Sequence, residues 1–166
     1  MPSAYGSWKT IYTRFSRWSD SGVLARLLEA LAREHDAEGF LVDATIVRAL
    51  GNPVRVILPP GQRNDIKLAD KLLEGVHDAY VAADRAYDAK ALVQMLEASR
   101  CTVVIPSHPT RAVQREIDLH LYKERHLVEC FFQRLKRFRR IPMRFEKLAR
   151  NFLTFVYLAC VLIGLA

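Results

Sequence analysis

Three carboxylates stand in sequence contexts that could bring them to a shared metal site. Asp43 lies in FLVDATIV, Asp84 ends the apolar run YVAAD, and Glu129 lies in YKERHLVECFFQRLK. Hard divalent cations such as Mg²⁺ and Mn²⁺ prefer carboxylate oxygens as ligands. Two carboxylates at strands and one on a helix can converge on such an ion, so all three are candidate metal ligands.

Asp43 is flanked by apolar residues, so its negative charge needs a partner if the side chain is buried. Phe40, Leu41 and Val42 precede it, and Ile46 and Val47 follow closely. Burying a carboxylate among apolar side chains is unfavourable unless something pairs with it. A metal ion would pair with it, and so would a salt bridge to an arginine; the residues alone favour neither.

Around Glu129 the spacing of polar residues predicts one functional helix face. Tyr122, Arg125, Glu129 and Lys136 follow one another at steps of three, four and seven residues, which places them near one side of a helix. Arg125 and Lys136 could bind phosphates, or could pair with acids such as Glu124 or the candidate metal-site carboxylates. Tyr122 could stack or hydrogen-bond near a substrate, or could be a core residue.

Positive charge is concentrated in the same part of the chain. The net charge is +7, and residues 111–150 hold 12 of the 25 Lys and Arg but only 5 of the 18 Asp and Glu. A basic segment beside acidic metal ligands suits a polyanion such as DNA, whereas a solvated helix face is the alternative. The candidate phosphate contacts here are Arg134, Arg137, Arg139, Arg140 and Arg144.

The elements that must position these residues alternate in type, which predicts an α/β fold. Strand patterns cover Phe40 to Leu58, DAYVAAD and CTVVIP, and helices are predicted from Asp65 to Glu74, from Asp88 to Ser99 and from Leu119 to Phe138. With 166 residues and 51% apolar residues, the chain can form one domain with a real core.

Residues 5–34 are predicted to be helical. Trp8, Tyr12, Phe15 and Trp18 recur at helical spacing, with basic residues such as Arg14 between them. An aromatic stripe packed into a core is the favoured interpretation, and a DNA-contacting helix is the alternative.

The cysteines and the apolar segments indicate the cellular compartment in which the protein is expected. Cys101, Cys130 and Cys160 are far apart and lack metal-ligand spacing, so we expect reduced, mostly core residues of a cytosolic protein. No secretory signal is apparent at the start. The apolar stretch 152–166 is shorter than the roughly 20 residues of a spanning helix, which favours a buried helix over a membrane anchor.

The motifs together resemble those of a known family. Tyr122-x2-Arg125-x3-Glu129-x6-Lys136 is similar to the tyrosine–arginine–glutamate–lysine signature of bacterial insertion-sequence DDE transposases, in the group around insertion sequences four and five. VDATIVRA and ADRAYDAK resemble the segments that carry the first and second catalytic aspartates of that family. FFQRLKRFRRIPMRFEKLARNF resembles the run after the glutamate, so the resemblance covers nearly the whole chain.

This resemblance implies an RNase H-like mixed sheet flanked by helices and metal-dependent DNA strand cleavage and transfer. Asp43, Asp84 and Glu129 would be the catalytic residues and would hold two Mg²⁺ or Mn²⁺ ions. Expected partners are double-stranded DNA at element ends and target, and further copies in a synaptic homo-oligomer, with no membrane. The expected location is the bacterial cytoplasm, at the nucleoid when bound to DNA.

Two departures from the family pattern lead to further expectations. Little sequence precedes YGSWKTIYTRF, so residues 1–38 are predicted to be a helical remnant of an N-terminal DNA-binding region, and 39–166 a shortened catalytic domain. VDATIVRA runs directly into LGNPVR, where the family has a further strand. We therefore predict a sheet lacking one strand, with Val54–Leu58 closing onto the Asp43 strand as a hairpin.

These departures leave a second function open. The alternative to an active transposase is a catalytically inactive remnant that binds DNA or self-associates without cutting. An exposed sheet edge left by the missing strand would favour self-association.

Overall fold

The computed structural model describes residues 6–33, 38–42, 45–48, 53–57, 66–143 and 145–165. Seven α-helices and five strands lie in these ranges. The helices are α1 (Trp8–Ser21), α2 (Val23–Arg33), α3 (Ile66–Leu72), α4 (Lys90–Ala98), α5 (Leu119–Lys123), α6 (His126–Lys136) and α7 (Ala149–Gly164). The strands are β1 (Gly39–Val42), β2 (Thr45–Arg48), β3 (Pro53–Val56), β4 (Tyr80–Ala83) and β5 (Thr102–Val104).

The strands form one mixed sheet in the order β3-β2-β1-β4-β5. β1 pairs antiparallel with β2, and β2 antiparallel with β3. β4 and β5 run parallel to β1 on its other side. This mixed α/β arrangement is consistent with the RNase H-like fold expected for a DDE transposase.

The prediction that the sheet lacks one strand is wrong. The segment predicted as one strand around Asp43 is two antiparallel strands, because β1 ends at Val42 and β2 begins at Thr45. The strand at Pro53–Val56 does join its predecessor as an antiparallel neighbour, but that predecessor is β2. The extra strand therefore comes from within the Asp43 segment. Asp43 and Ala44 themselves lie outside the described residues.

Alternating side chains give the sheet two buried faces. Leu41, Ala82 and Val104 face one core, which contains Phe131 of α6 and Val156 of α7. The opposite face is covered by α3 and α4, and it contributes Val42, Val81 and Ala83 to a second core. The two cores hold α6 on one side of the sheet and α4 on the other.

Close packing between β1 and β4 depends on a glycine. Gly39 is paired in register with Tyr80, and a Cβ atom at Gly39 would overlap the Tyr80 ring. The Tyr80 ring therefore lies against β1 at a position that has no side chain. Glycine is often found in strands where another group approaches the backbone this closely.

The N-terminal helical segment is divided at Gly22. Gly22 has a φ of +63° and ends α1 in the left-handed conformation, after which α2 begins. Phe15 is buried and stacks on Phe155 of α7, with ring centroids 4.2 Å apart. Trp8 and Trp18 remain 62% and 46% exposed, so the predicted core stripe is only partly in the core. The proposed division at residues 38 and 39 stays a prediction.

The C-terminal apolar segment forms α7 and packs on the protein as predicted. Ala159, Cys160 and Val161 are buried in it, and α7 contacts α1, α2, α6 and β3. No helix in the described ranges is long and apolar enough to cross a membrane.

Candidate functional site

Asp84 lies at the carboxyl end of β4, and one of its two carboxylate oxygens accepts a hydrogen bond. It is half-buried, and its Oδ1 accepts a hydrogen bond from the Ala86 amide at 2.9 Å. This bond caps a short 3₁₀ turn, Arg85–Tyr87. Within the described part of the chain, Oδ2 has no hydrogen-bond partner, so one carboxylate oxygen remains available to a ligand.

The strand register defines the edge at which Asp84 lies. Val42 and Ala83 are partners in the parallel pair of β1 and β4, so these two strands end side by side. Asp43 follows Val42 in the sequence but lies outside the described residues. The described residues contain no group of three His, Cys, Asp or Glu side chains placed to hold a metal ion, and Asp43 is not among them.

Glu129 lies on α6, beside residues that anchor this helix to the core. Val128 and Phe131 are buried, whereas the Glu129 side chain is 69% exposed. An arginine one turn earlier pairs with it: Arg125 Nη2 lies 3.7 Å from Glu129 Oε1. The predicted helix face is therefore present around this carboxylate.

The predicted helix Leu119–Phe138 is interrupted just before Glu129. The Glu124 and Arg125 amides donate to carbonyls three residues back, those of Leu121 and Tyr122, as in a 3₁₀ turn. Residues three apart eclipse in such a turn, and the Arg125 guanidinium lies 5.9 Å from the centroid of the Tyr122 ring. The 3₁₀ turn therefore brings Tyr122 and Arg125 together.

A hydrogen bond from the sheet holds this interruption in place. The Tyr80 hydroxyl of β4 donates to the Glu124 carboxylate. Burial raises the pKa of Tyr80, and the neighbouring Glu124 carboxylate raises it further, so the hydroxyl stays a donor. Glu124 therefore has this partner, and Arg125 pairs with Glu129, one of the candidate metal-site carboxylates named as alternative partners, rather than with Glu124.

The predicted basic residues lie at the carboxyl end of α6 and in the following turn. Lys136, Arg137 and Arg139 are exposed, and Arg134 is half-buried. Arg140 is paired with Glu146 at 3.2 Å and lies 5.0 Å above the Phe155 ring. Arg144 lies outside the described residues. The exposed cations form a continuous stretch of sequence that follows Glu129.

A charged cluster around Asp88 was not predicted. The Asp88 side chain is 1% exposed and binds two arginines, with Arg111 Nε at 2.5 Å and Arg115 Nη2 at 3.4 Å. The His108 amide also donates to it at 2.7 Å. These partners lie 20 to 27 residues later in the chain, so sequence spacing could not have paired them.

The cluster ties the segment after β5 to the segment after β4. Arg115 also donates to the Ile105 carbonyl at 2.6 Å, next to the end of β5. Burial raises the pKa of Asp88, but the His108 amide and the two arginines outweigh it and lower the pKa overall. The ionised Asp88 carboxylate, four residues after Asp84, therefore holds these two segments together.

Two of the three cysteines are core residues, which confirms the prediction that most of them are. All three are free thiols; Cys101 and Cys160 are buried, and Cys130 is exposed on α6. Burial raises the pKa of Cys160 to about 12. Cys130 is the exception to the prediction of mostly core cysteines, because its position on the helix faces solvent.

Comparison with known proteins assigns the chain to a family. Residues 34–163 match the family described as Transposase DDE domain. A Brucella ovis protein assigned as a transposase for insertion sequence element IS6501 is 44% identical over 122 residues, which cover 72% of this chain and 94% of that protein. The uncharacterised protein y4sN of Sinorhizobium fredii is 43% identical over 49 residues, or 30% of this chain and 39% of that protein. No solved structure matches the chain. Because the family match spans most of the sequence, the chain belongs to the transposases with a DDE domain.

Proposed function

We propose that this protein is the transposase of an insertion sequence and that it cleaves and joins DNA strands in an RNase H-like catalytic domain. The family match supports the reaction class. The Brucella ovis relative, assigned as an insertion-sequence transposase, supports the kind of element. The five-stranded mixed sheet, with three antiparallel strands and two parallel ones, supports the catalytic fold.

The register between β1 and β4 is the observation that carries the proposal. Val42 and Ala83 are paired, and each is followed in sequence by an aspartate of the proposed triad. Parallel strands that end together deliver the residues after them to the same sheet edge. Asp43 and Asp84 would therefore meet there. Glu129 would complete the triad from α6, which packs against β1 and β2.

The described carboxylates suit divalent metal. Asp84 keeps one oxygen without a hydrogen-bond partner among the described residues, and Glu129 is largely exposed with a single loose ion pair. Both provide the hard oxygen donors that Mg²⁺ and Mn²⁺ prefer. When bound, two such ions supply activation of the attacking hydroxyl and stabilisation of the leaving oxygen in an in-line displacement.

The protein's own side chains would position the third carboxylate. Arg125 is 27% exposed and lies over Tyr122, so its guanidinium is restricted in movement. Its ion pair with Glu129 in turn orients the carboxylate without burying it. Positioning of this kind carries a large share of phosphoryl-transfer catalysis.

The basic stretch after Glu129 would bind the DNA backbone. Lys136, Arg137 and Arg139 are exposed, and Arg134 and Arg140 lie on the same stretch of chain. Each phosphate contact releases counterions, so binding of double-stranded DNA should weaken steeply as salt increases. Phosphate contacts do not depend on the DNA sequence, so recognition of the element ends would require other contacts.

Thermal unfolding with and without Mn²⁺ tests the metal site. A ligand that binds only the folded state raises its stability, by about 1.4 kcal/mol at ten times its dissociation constant. For a chain of this size, that corresponds to a rise of a few degrees in Tm. We expect the rise in the native chain and its loss in Asp43→Asn, Asp84→Asn and Glu129→Gln.

Glu97→Gln is the matched control. Glu97 is exposed on α4, across the sheet from α6, so this variant should keep the full metal-dependent rise. If the native chain shows no rise in Mn²⁺ or Mg²⁺, the triad does not assemble. DNA binding without cleavage would then identify the protein as an inactive remnant.

A further inference from the structure

An open groove of about 530 Å³ lies between α1 and α7. Its floor is apolar and includes the buried Phe15, stacked on Phe155. Three large aromatic side chains of α1 border it and remain open to solvent: Trp8 is 62% exposed, Tyr12 44% and Trp18 46%. Exposed aromatic rings grouped in this way mark a binding surface rather than scattered surface residues.

The groove is held in a fixed shape by polar bonds between its two helices. Asn151 of α7 is buried, and its Nδ2 donates to the Tyr12 hydroxyl at 3.2 Å. The hydroxyl of Thr154, also buried, is hydrogen-bonded to the Ser19 hydroxyl at 2.7 Å. Together with the stacked phenylalanines, these bonds fix α1 on α7, so the aromatic rings are presented on a preformed surface.

The charge lining the groove is positive. Arg14 and Arg140 line it, and Arg139 lines a smaller adjoining groove of about 260 Å³ that shares Arg140 and Phe155. The described lining residues include no acid. Arg140 is already paired with Glu146, and the nearby Asp20 is paired with Arg150. Arg14 and Arg139 are exposed and have no acidic partner among the described residues, so the surface combines flat apolar rings with these two cations.

We propose that this groove binds unpaired bases of single-stranded DNA. Planar bases match the exposed indole and phenol rings, on which they can stack, and the connecting phosphates match Arg14 of the groove and Arg139 of the adjoining one. A second copy of the chain would bring arginine against arginine. An apolar peptide would leave the cations unmatched. The proposal goes beyond strand cleavage, because it adds a base-binding surface built by elements outside the acidic triad.

Intrinsic fluorescence measures this binding directly, because the only two tryptophans of the chain, Trp8 and Trp18, both line the groove. The full chain is titrated in EDTA with an oligothymidylate of about 10 nucleotides, within the site sizes of roughly 4–16 seen for such grooves. We expect saturable quenching by the single strand. A duplex of the same length, whose bases are already stacked, should cause little quenching.

Anisotropy of a labelled oligothymidylate then compares variants of one exposed ring. Trp8→Ala should weaken binding roughly ten-fold, as expected for loss of one stacking contact, and Trp8→Phe should bind nearly as well as the native chain. Val113→Ala, at an 81% exposed position of the loop before α5, is the control and should leave affinity unchanged. Circular dichroism confirms that each variant is folded.

Three results would overturn the proposal: equal quenching by duplex and single strand, no quenching by either, or unchanged affinity in Trp8→Ala. A concentration-dependent blue shift of the emission without DNA, lost in Trp8→Ala, would instead assign the groove to a second copy. Because the titration contains EDTA, failure here leaves the metal-dependent proposal untouched, and failure of the metal test leaves this one standing.

Discussion

Arg125 and Glu129 are joined by a 3.7 Å ion pair, yet they differ sharply in exposure, with 27% of the Arg125 side chain and 69% of the Glu129 side chain open to solvent. The arginine is held from behind by the Tyr122 ring, 5.9 Å away, and the helix turn that brings them together is tied to β4 by the bond between Tyr80 and Glu124. The contacts thus run from the sheet to a carboxylate that stays accessible. Because the Glu129 carboxylate is exposed, its ion pair with Arg125 adds little stability. The pair serves instead to orient the carboxylate.

Arg125→Ala should therefore separate stability from activity. Loss of an ion pair whose carboxylate is largely exposed should change the free energy of unfolding by less than about 1 kcal/mol. Metal-dependent DNA cleavage should fall by at least about ten-fold, because Glu129 loses its orientation. Denaturant unfolding and a strand-cleavage assay on the same preparation measure the two effects. Arg100→Ala, at an exposed surface pair with Asp78, is the control; equal losses of cleavage in both variants would refute the role of Arg125.

Gly39→Ala should destabilise the sheet. The added Cβ would overlap the Tyr80 ring, and relieving such overpacking costs about 1–3 kcal/mol. Chemical denaturation measures the loss. Gly164→Ala provides the contrast. At this last residue of α7 a Cβ would meet nothing within 4 Å in the described structure apart from its chain neighbours and its own helix backbone, and alanine is the better helix former. A Gly39→Ala protein as stable as the native chain would show that Tyr80 can move aside freely.

Asp88→Asn should lower stability by about 3 kcal/mol, because Arg111 and Arg115 would lose their buried anionic partner. The same carboxylate predicts acid sensitivity. Since its pKa is lowered in the folded protein, its contribution is complete above the ordinary carboxyl pKa and is lost as the pH falls through the folded value. Unfolding free energies measured from neutral pH to below about pH 4 should fall steeply in the native chain and less steeply in Asp88→Asn. Asp78→Asn, at an exposed pair, should have a much smaller effect at neutral pH.

The three cysteines should differ in reactivity. Cys130 is exposed, whereas Cys101 and Cys160 are buried, and burial raises the pKa of Cys160 to about 12. The thiolate is the reactive form, so iodoacetamide at pH 8 should modify Cys130 first and the other two only after denaturation. Peptide mass spectrometry reports the order. Early modification of Cys160 in the folded protein would contradict the packing of α7.

Local patterns were enough to predict much of this protein. The apolar runs YVAA and TVV predicted β4 and β5, and the helical spacing of Tyr122, Arg125 and Glu129 predicted the face on which Arg125 and Glu129 now pair. The family also followed from these motifs and is confirmed by the match over residues 34–163. Such features depend on residues that lie close together in the chain, where side-chain periodicity follows directly from backbone geometry.

Contacts between distant segments decided the rest. The predicted loss of a strand was wrong because β1 and β2 arise from a single apolar run, and only pairing with β4 and β3 shows where that run divides. The partners of Asp88 lie 20 to 27 residues away from it, and Phe15 meets Phe155 across most of the chain. The sequence by itself determined the type of most elements, the family and the candidate triad. Tertiary structure decided which rings stay exposed and which charges pair, because burial depends on what the rest of the chain places against each side chain.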